Sequence, residues 1–194
     1  EVGYEQISIR KIAERIEYSP ATIYLSFRAK NEIFYYLREE GFRRLLARQT
    51  SILHEPDPIT RFRKLGEQYM AFAIEEPEYY EVVFILNAPM QSEHDHAAAH
   101  AMHPQQPDEG PVLRPEDTYA ARTFGLLRNT LAELMQAGLI HEGQPEATAL
   151  YVWSYVHGLA SLYLRNRMGL MPKEQQLPAI QQAMDYALRI IQKH

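Results

Sequence analysis

The segment SIRKIAERIEYSPATIYLSF, residues 8–27, contains two helical patterns separated by a short break. In the first pattern, apolar side chains recur at intervals of three and four residues, which is the spacing of one helix face. Ser8 stands where a helix N-cap is expected, and Ser19 followed by Pro20 gives the same start signal for a second, shorter helix. We therefore expect a first helix that packs on the second through Ile9, Ile12, Ala13 and Ile16.

Two helices joined by a turn of three or four residues form the helix-turn-helix, a unit that reads DNA. Its second helix lies in the major groove, where its first residues meet the base edges. In this chain the outward side chains of the second helix are small or uncharged, and they can contact a thymine methyl group or exchange hydrogen bonds with bases. Lys30, at the start of a third helix, stands where a phosphate is favoured. The residues expected to contact DNA are Ser8, Arg10, Lys11, Ser19, Ala21, Thr22, Tyr24, Leu25, Ser26 and Lys30.

Helical periodicity continues along the rest of the chain, and strand signals are weak. The pattern predicts seven or eight helices and no sheet, so the expected fold class is all-α. Residues 87–115 hold five prolines, four histidines and little periodicity, and we expect them to form a long loop. The helices that follow the first two are expected at about 29–53, 59–74, 78–86, 116–137, 145–168 and 172–191.

Composition and charge limit the classes of protein to which the chain can belong. Its 194 residues include no cysteine, which excludes a disulfide framework, a thiolate zinc site and a cysteine nucleophile. The net charge of −5 is unevenly divided, because residues 1–50 carry nine Lys and Arg against seven Asp and Glu, whereas residues 51–194 carry 11 against 18. We expect a DNA-binding domain over 1–50 and an acidic helical domain over 51–194 that faces away from DNA.

The sequence carries no signal of export or of membrane insertion. Its N-terminus has no basic region followed by an apolar run. The longest stretch without a charged residue, 147–164, contains Ser, Thr, Tyr and His, whereas a membrane span needs about 20 predominantly apolar residues. We therefore expect this stretch to be a buried helix, and the protein to be soluble and cytoplasmic.

The first part of the chain resembles the DNA-binding domain of the TetR family of transcriptional regulators. Gly3 and Tyr4 are similar to the end of that family's first helix, so we expect most of that helix to be missing here. Members of the family often have Gly where this chain has Glu17, in the turn between the two helices. The resemblance is carried by Ala13, Thr22, Ile23, Tyr24, Phe27 and Lys30.

A second resemblance lies near the other end of the chain. Trp153, His157 and Gly158 are similar to the Trp…His-Gly signature of one group of TetR-family C-terminal domains. Together the two resemblances imply an Ω-shaped homodimer, paired through its last two helices as a four-helix bundle. They also imply a repressor that a small-molecule effector releases from a palindromic double-stranded DNA operator. No cofactor is expected, and the helix over 29–53 is the expected lever between the two domains.

Aromatic and apolar residues are numerous in the C-terminal domain, as they are in the lining of ligand pockets. Trp153 and His157 are one helical turn apart, where they can form a pocket floor with a polar anchor or belong to an ordinary core. We expect a largely apolar or aromatic effector. The residues expected to bind it are Tyr69, Phe72, Phe84, Phe124, Leu127, Trp153 and His157.

Two other functions remain open at this stage. His94, His96, His100 and His103 lie close together, and in a helix the last three would share one face, as zinc ligands can. An all-α metal-dependent enzyme would use this cluster, although a solvated loop explains the same residues and no metal site is expected. The other alternative is an interaction protein whose helix-turn-helix is structural. The identity of the effector, the operator sequence and the sign of regulation cannot be derived from the sequence.

Overall fold

The computed structural model describes residues 4–86 and 118–193. Within these ranges the chain forms eight α-helices and no β-strand, with one isolated antiparallel bridge between Ile140 and Gln192. The predicted all-α fold class is confirmed. None of the helices in the described ranges combines the length and the apolar character that a membrane crossing requires. The helices are α1 (Ile9–Arg15), α2 (Pro20–Ser26), α3 (Lys30–Thr50), α4 (Pro58–Glu75), α5 (Pro77–Tyr80), α6 (Tyr119–Gln136), α7 (Pro145–Leu164) and α8 (Lys173–Ile191).

The helices begin and end where local side chains satisfy the terminal backbone groups. Ser8, Ser19, Asp57 and Thr118 each accept a hydrogen bond from the backbone N–H three residues later, at 2.9–3.3 Å. These caps replace the intrahelical partner that the first turn of a helix lacks. Gly138 ends α6 with a φ of 69°, a conformation that glycine adopts without a steric penalty.

Four helix boundaries differ from those predicted, and one of them is the start of α6, which lies at Tyr119 after its cap Thr118 and not at residue 116. The third helix ends at Thr50. The hydroxyl groups of Thr50 and Ser51 donate to carbonyl oxygens of the preceding turn, and these hydrogen bonds compete with the backbone hydrogen bonds that would continue the helix. α7 ends at Leu164, before Asn166 takes a φ of 52°. The helix expected over 78–86 is a single α-helical turn followed by a π-helical segment, Glu81–Ile85. The loop expected over 87–115 lies outside the described residues.

The chain divides into two compact units, and the division falls inside α3, between Gly41 and Phe42. Of the described residues, the first unit contains those up to Gly41 together with those from Glu78 to residue 86. The second unit contains Phe42–Pro77 and the described residues from 118 onwards. The units are defined by packing, so the functional division into 1–50 and 51–194 stays a prediction.

In the first unit, α1 packs on α2 through a small apolar cluster. Ile9, Ala13 and Ile23 are buried there, with Ile12 and Phe27 packed against them. The prediction that Ile16 also packs on α2 is wrong, because its side chain is 51% exposed. Ile16 is the C-cap of α1, with a φ of −101°, so it lies at the end of the helix, where the turn to α2 begins.

A second apolar cluster of the first unit holds the start of the described chain. Tyr4 and Phe34 are buried and meet edge to face, with their ring centroids 5.0 Å apart. Val82 and Leu86, at the π-helical segment, pack against them. Gly41 permits a close approach of the same segment, because a Cβ atom there would collide with a methyl group of Val83.

The second unit has a larger core, built from α4, α6, α7 and α8. Four side chains of α4 that recur at helical spacing face this interior. All four are less than 9% exposed, namely Phe62, Leu65, Tyr69 and Phe72. The main apolar cluster joins α4 to the other three helices and to the chain after α6. Its buried members are Phe62, Leu131, Leu134, Ile140, Ala149 and Leu188.

Candidate nucleic-acid interface and effector site

The exposed face of α2 is the first part of the candidate nucleic-acid interface. Ile23 is buried, and each residue of a helix is rotated by about 100° from its neighbour. Ala21 and Leu25, two residues to either side, therefore lie on the face opposite Ile23. Both are exposed, and Leu25 is 86% exposed. Tyr24, which lies to one side of this face, is 56% exposed.

The start of α2 is held by its own side chains. Oγ of Ser19 accepts a hydrogen bond from the backbone N–H of Thr22 and lies 2.8 Å from the Thr22 hydroxyl oxygen. The turn before it contains Glu17, whose φ of 60° is in the left-handed region. A side chain with a Cβ atom adopts that region at a cost, which explains why glycine suits this position.

Two lysines of the predicted interface already have partners within the first unit. The ammonium group of Lys30 donates to the carbonyl oxygen of Tyr4 at 2.9 Å and lies 3.8 Å from the centre of the Tyr4 ring. The Tyr4 hydroxyl donates to Asn31. The ammonium group of Lys11 donates to the carbonyl oxygen of Gln6 at 2.8 Å. Both lysines therefore fix the segment before α1, a role that the sequence analysis did not predict.

Nine of the ten residues predicted to contact DNA are exposed, and Lys30 is half-buried. They come from the start of α1, from α2 and from the start of α3, and all belong to the first unit. Within α2 only Ile23 is buried, so the other side chains of this helix are available to a binding partner. The contacts that each of these ten residues makes with DNA stay predictions.

The second unit brings together several residues of the predicted effector site. The Tyr69 hydroxyl, on α4, lies 3.1 Å from Nδ1 of His157, on α7, within hydrogen-bonding distance. Burial lowers the pKa of His157, which favours the neutral imidazole. The ring centroid of Trp153 is 6.2 Å from that of His157 and 6.4 Å from that of Phe124, which it meets edge to face.

The other predicted effector residues are placed differently. Phe72 is fully buried on α4, and Leu127 packs against the main apolar cluster of the second unit. Phe84 belongs to the first unit, where its ring centroid lies 5.2 Å from that of Tyr80. The association of Phe84 with the other six residues therefore rests on the sequence alone.

Two features of the second unit were not predicted. A groove of about 280 Å³ lies between α4 and α8, lined by Met70, Ile74, Leu177 and other side chains but by none of the seven predicted effector residues. Gln49, near the end of α3, is 6% exposed, and its Oε1 has no hydrogen-bond partner among the described residues. Both depend on packing between separate helices and have no local sequence signal.

An ionic cluster joins the last turns of α3 to the end of α4. Arg44 pairs with Glu76 at 2.9 Å, and Arg48 pairs with Glu75 at 2.8 Å and with Glu76 at 2.7 Å. Burial alone would raise the pKa of Glu76, but the hydrogen bonds from the two arginines outweigh it, and the pKa is lowered. The cluster therefore holds Glu76 in its ionised form.

The histidines His94, His96, His100 and His103 lie outside the described residues. Within the ranges that are described, no group of three or more potential metal ligands occurs.

Two protein-family models match the chain in order. A model described as bacterial regulatory proteins of the tetR family matches residues 1–37. A model described as the tetracyclin repressor-like C-terminal domain matches residues 62–185. Comparison with curated protein sequences gives no match. The Trp…His-Gly grouping of the C-terminal domain stays a prediction.

Solved structures share this fold at low sequence identity. A tetR-family regulatory protein from Rhodococcus RHA1 is 17% identical, with a TM-score of 0.71 over 98% of this chain and 89% of that one. The TetR family regulator PfmR from Thermus thermophilus is 18% identical, with a TM-score of 0.68 over 97% and 91%. The fatty acid degradation regulator FadR from Bacillus halodurans is 15% identical, with a TM-score of 0.68 over 97% and 87%. With one family model on the helix-turn-helix and the other on the helical part that follows, the chain belongs to the TetR family of DNA-binding transcriptional regulators.

Proposed function

We propose that the protein is a repressor that a small, largely apolar or aromatic molecule releases from its operator. The observation that carries the proposal is the helix-turn-helix whose second helix exposes every side chain except that of Ile23. Membership of the TetR family supports the binding of DNA and of an effector. In this proposal residues 1–50 contact DNA, and residues 51–194 bind the effector and form the dimer.

The proposed dimer pairs through α7 and α8. Large apolar side chains on a protein surface mark interaction sites when they occur together. A twofold dimer places two copies of α2 in successive major grooves about 34–36 Å apart, or a multiple of that, which matches a palindromic operator. The large apolar side chains that α7 and α8 expose are Leu150, Tyr151, Leu162, Leu177, Tyr186 and Ile190.

The proposed effector contacts Tyr69 and His157 as its polar partners, with Trp153 and Phe124 beside them. A neutral imidazole next to a tyrosine hydroxyl suits an uncharged or weakly charged polar group on an otherwise apolar molecule. The shared fold with a fatty acid degradation regulator makes fatty-acyl compounds useful first probes, together with aromatic ones.

The proposed lever is α3, which begins in the first unit and ends in the second. Its last turns are held to the end of α4 by the ionic cluster of Arg44, Arg48 and Glu76. An effector can empty the operator only if it prefers the non-binding state, and a decisive shift needs a preference of about 5 kcal/mol. An effector that released DNA without changing the geometry between the two units would contradict this part of the proposal.

The test begins with selection of bound sequences from a random duplex library, using the full chain. We expect a palindromic sequence, and we expect fatty-acyl or aromatic probes to reduce binding to it in an anisotropy assay. Tyr69→Phe should weaken the response to the probe while leaving DNA affinity unchanged. Tyr155→Phe is the matched control, because it removes an equivalent hydrogen bond elsewhere, the one that the Tyr155 hydroxyl on α7 donates to the Ala183 carbonyl on α8.

Enrichment of no sequence would contradict the proposed function and favour an interaction protein whose helix-turn-helix is structural. The comparisons give no support to the metal-dependent enzyme. An operator that no probe releases would leave DNA binding established and contradict the proposed effector class. Equal loss of response in the two tyrosine variants would contradict the proposed place of the effector.

A further inference from the structure

The recognition helix α2 has an unusual set of side chains for a helix that reads bases. Between Pro20 and Ser26 it contains no Arg, Lys, Asn, Gln, Asp or Glu. Bidentate recognition of guanine uses Arg or Lys, recognition of adenine uses Asn or Gln, and cytosine is read by Asp or Glu. None of these contacts is available to α2, so its selectivity must come from hydroxyl groups and from apolar contacts.

The apolar contacts lie at the centre of the exposed face. Ala21 and Leu25 are one helical turn apart and lie opposite the buried Ile23, which anchors the helix to α1. The two hydroxyl groups at the start of α2 are engaged with each other, because Ser19 Oγ and Thr22 Oγ1 are 2.8 Å apart. The side chain that extends furthest from this face without a polar group is that of Leu25.

The major groove offers one apolar group on its floor, the C5-methyl group of thymine. A leucine that is 86% exposed gains from a contact that removes its methyl groups and the thymine methyl group from water together. Contact with any other base edge would place the same leucine against hydrogen-bonding groups that it cannot satisfy. The chemistry of the side chain therefore favours one class of base.

We propose that Leu25 is a specificity-determining residue that selects a pyrimidine carrying a C5-methyl group at one position of each operator half-site. In unmodified DNA this base is thymine, and 5-methylcytosine presents the same group. The inference rests on the proposed function, because it requires α2 to enter the major groove of a specific operator. The C5-methyl group is then the feature of the DNA that α2 reads.

The experiment uses the sequence enriched by the full chain and replaces each thymine of a half-site, one at a time, with deoxyuridine. This change removes the methyl group and keeps the hydrogen-bonding pattern of the base. At one position in each half-site we expect the affinity of the wild-type protein to fall about three- to fivefold, the value for one buried methyl group. At the same position, cytosine should bind more weakly than 5-methylcytosine.

The matched variant is Leu25→Ala, which should fold normally because the side chain is exposed and makes no core contact. It should bind the thymine operator more weakly and should no longer distinguish thymine from deoxyuridine at that position. Its dependence on salt should equal that of the wild type, because no phosphate contact is lost. Leu170→Ala, a fully exposed leucine in the turn after α7, is the control and should retain the full discrimination.

The possible outcomes separate the inference from the function on which it rests. An enriched operator whose half-sites lack thymine, or whose thymines can all be replaced by deoxyuridine without loss, overturns the role of Leu25 while leaving the regulator intact. The role of Leu25 is also overturned if Leu25→Ala still distinguishes thymine from deoxyuridine as strongly as the wild type does. If no sequence is enriched, the proposed function fails, and the inference fails with it.

Discussion

The two units hold their candidate functional helices in opposite ways. α2, in the first unit, has seven residues, buries Ile23 alone and exposes the side chains that we expect to meet DNA. α7, in the second unit, has 20 residues and carries His157 towards α4, where it meets Tyr69. A helix as short as α2 is unstable by itself and depends on its caps and on a few contacts, whereas α7 belongs to a large core. We therefore expect mutations to act through caps and single contacts in the first unit, and through the loss of core packing in the second.

The largest effect is expected in the core of the second unit. Leu131→Ala removes a fully buried side chain of the main apolar cluster and should lower the free energy of unfolding by about 2–5 kcal/mol. Urea unfolding followed by circular dichroism would measure it, with Leu170→Ala as an exposed control that should change the value by less than about 0.5 kcal/mol. A loss equal to that of the control would mean that the α6 core does not dominate stability.

A smaller effect is expected at the ionic cluster that joins α3 to α4. Glu76→Gln keeps the shape of the side chain but removes its charge and should cost about 1 kcal/mol at neutral pH. Because folding lowers the pKa of Glu76, its contribution is present above the unfolded value of about 4.3 and is lost as the pH falls through the folded value.

In urea unfolding experiments, the stabilities of wild type and Glu76→Gln should therefore begin to converge as the pH falls below about 4.3, and they should become equal only below the folded pKa of Glu76. A difference that stays constant from neutral pH to this range would show that the charge of Glu76 does not stabilise the cluster.

A third prediction tests the dependence of α2 on its cap. Ser19→Ala should lower the free energy of unfolding by about 1 kcal/mol, whereas Ser19→Gly should cost only a few tenths. Ser154→Ala is the control, because its hydroxyl donates to a carbonyl oxygen within α7 and caps no helix end. Thermal unfolding of the three variants would measure the differences. If Ser19→Ala and Ser154→Ala have the same cost, α2 does not depend on its cap.

The smallest effect has the opposite sign. Glu17→Gly should stabilise the protein by about 0.5 kcal/mol, because the left-handed strain at a φ of 60° is removed while the unfolded chain gains some freedom. Asn166→Gly, at a φ of 52°, should gain less, since asparagine tolerates this conformation better than glutamate. Denaturant midpoints would decide the order. A destabilised Glu17→Gly variant would show that the Glu17 side chain makes a contact worth more than the strain.

The sequence predicted most of the first unit because its signals are local. Ser8, Ser19 and Pro20 mark helix starts within a few residues of the groups that they satisfy. The same method failed at Ile16, since the spacing of a helix face no longer applies once the backbone leaves α1. It also missed the contact of Lys30 with Tyr4, which joins residues 26 positions apart.

The sequence by itself therefore determined the all-α fold class, the order of the helices, the outward face of α2 and the family to which the chain belongs. All of these depend on periodicity, capping and motifs that act over short stretches of chain. Only the tertiary structure decided that Tyr69 meets His157, 88 positions away, and that Arg44 and Arg48 hold Glu76. Such pairs form where helices pack, and no local rule of spacing specifies which faces of distant helices will meet.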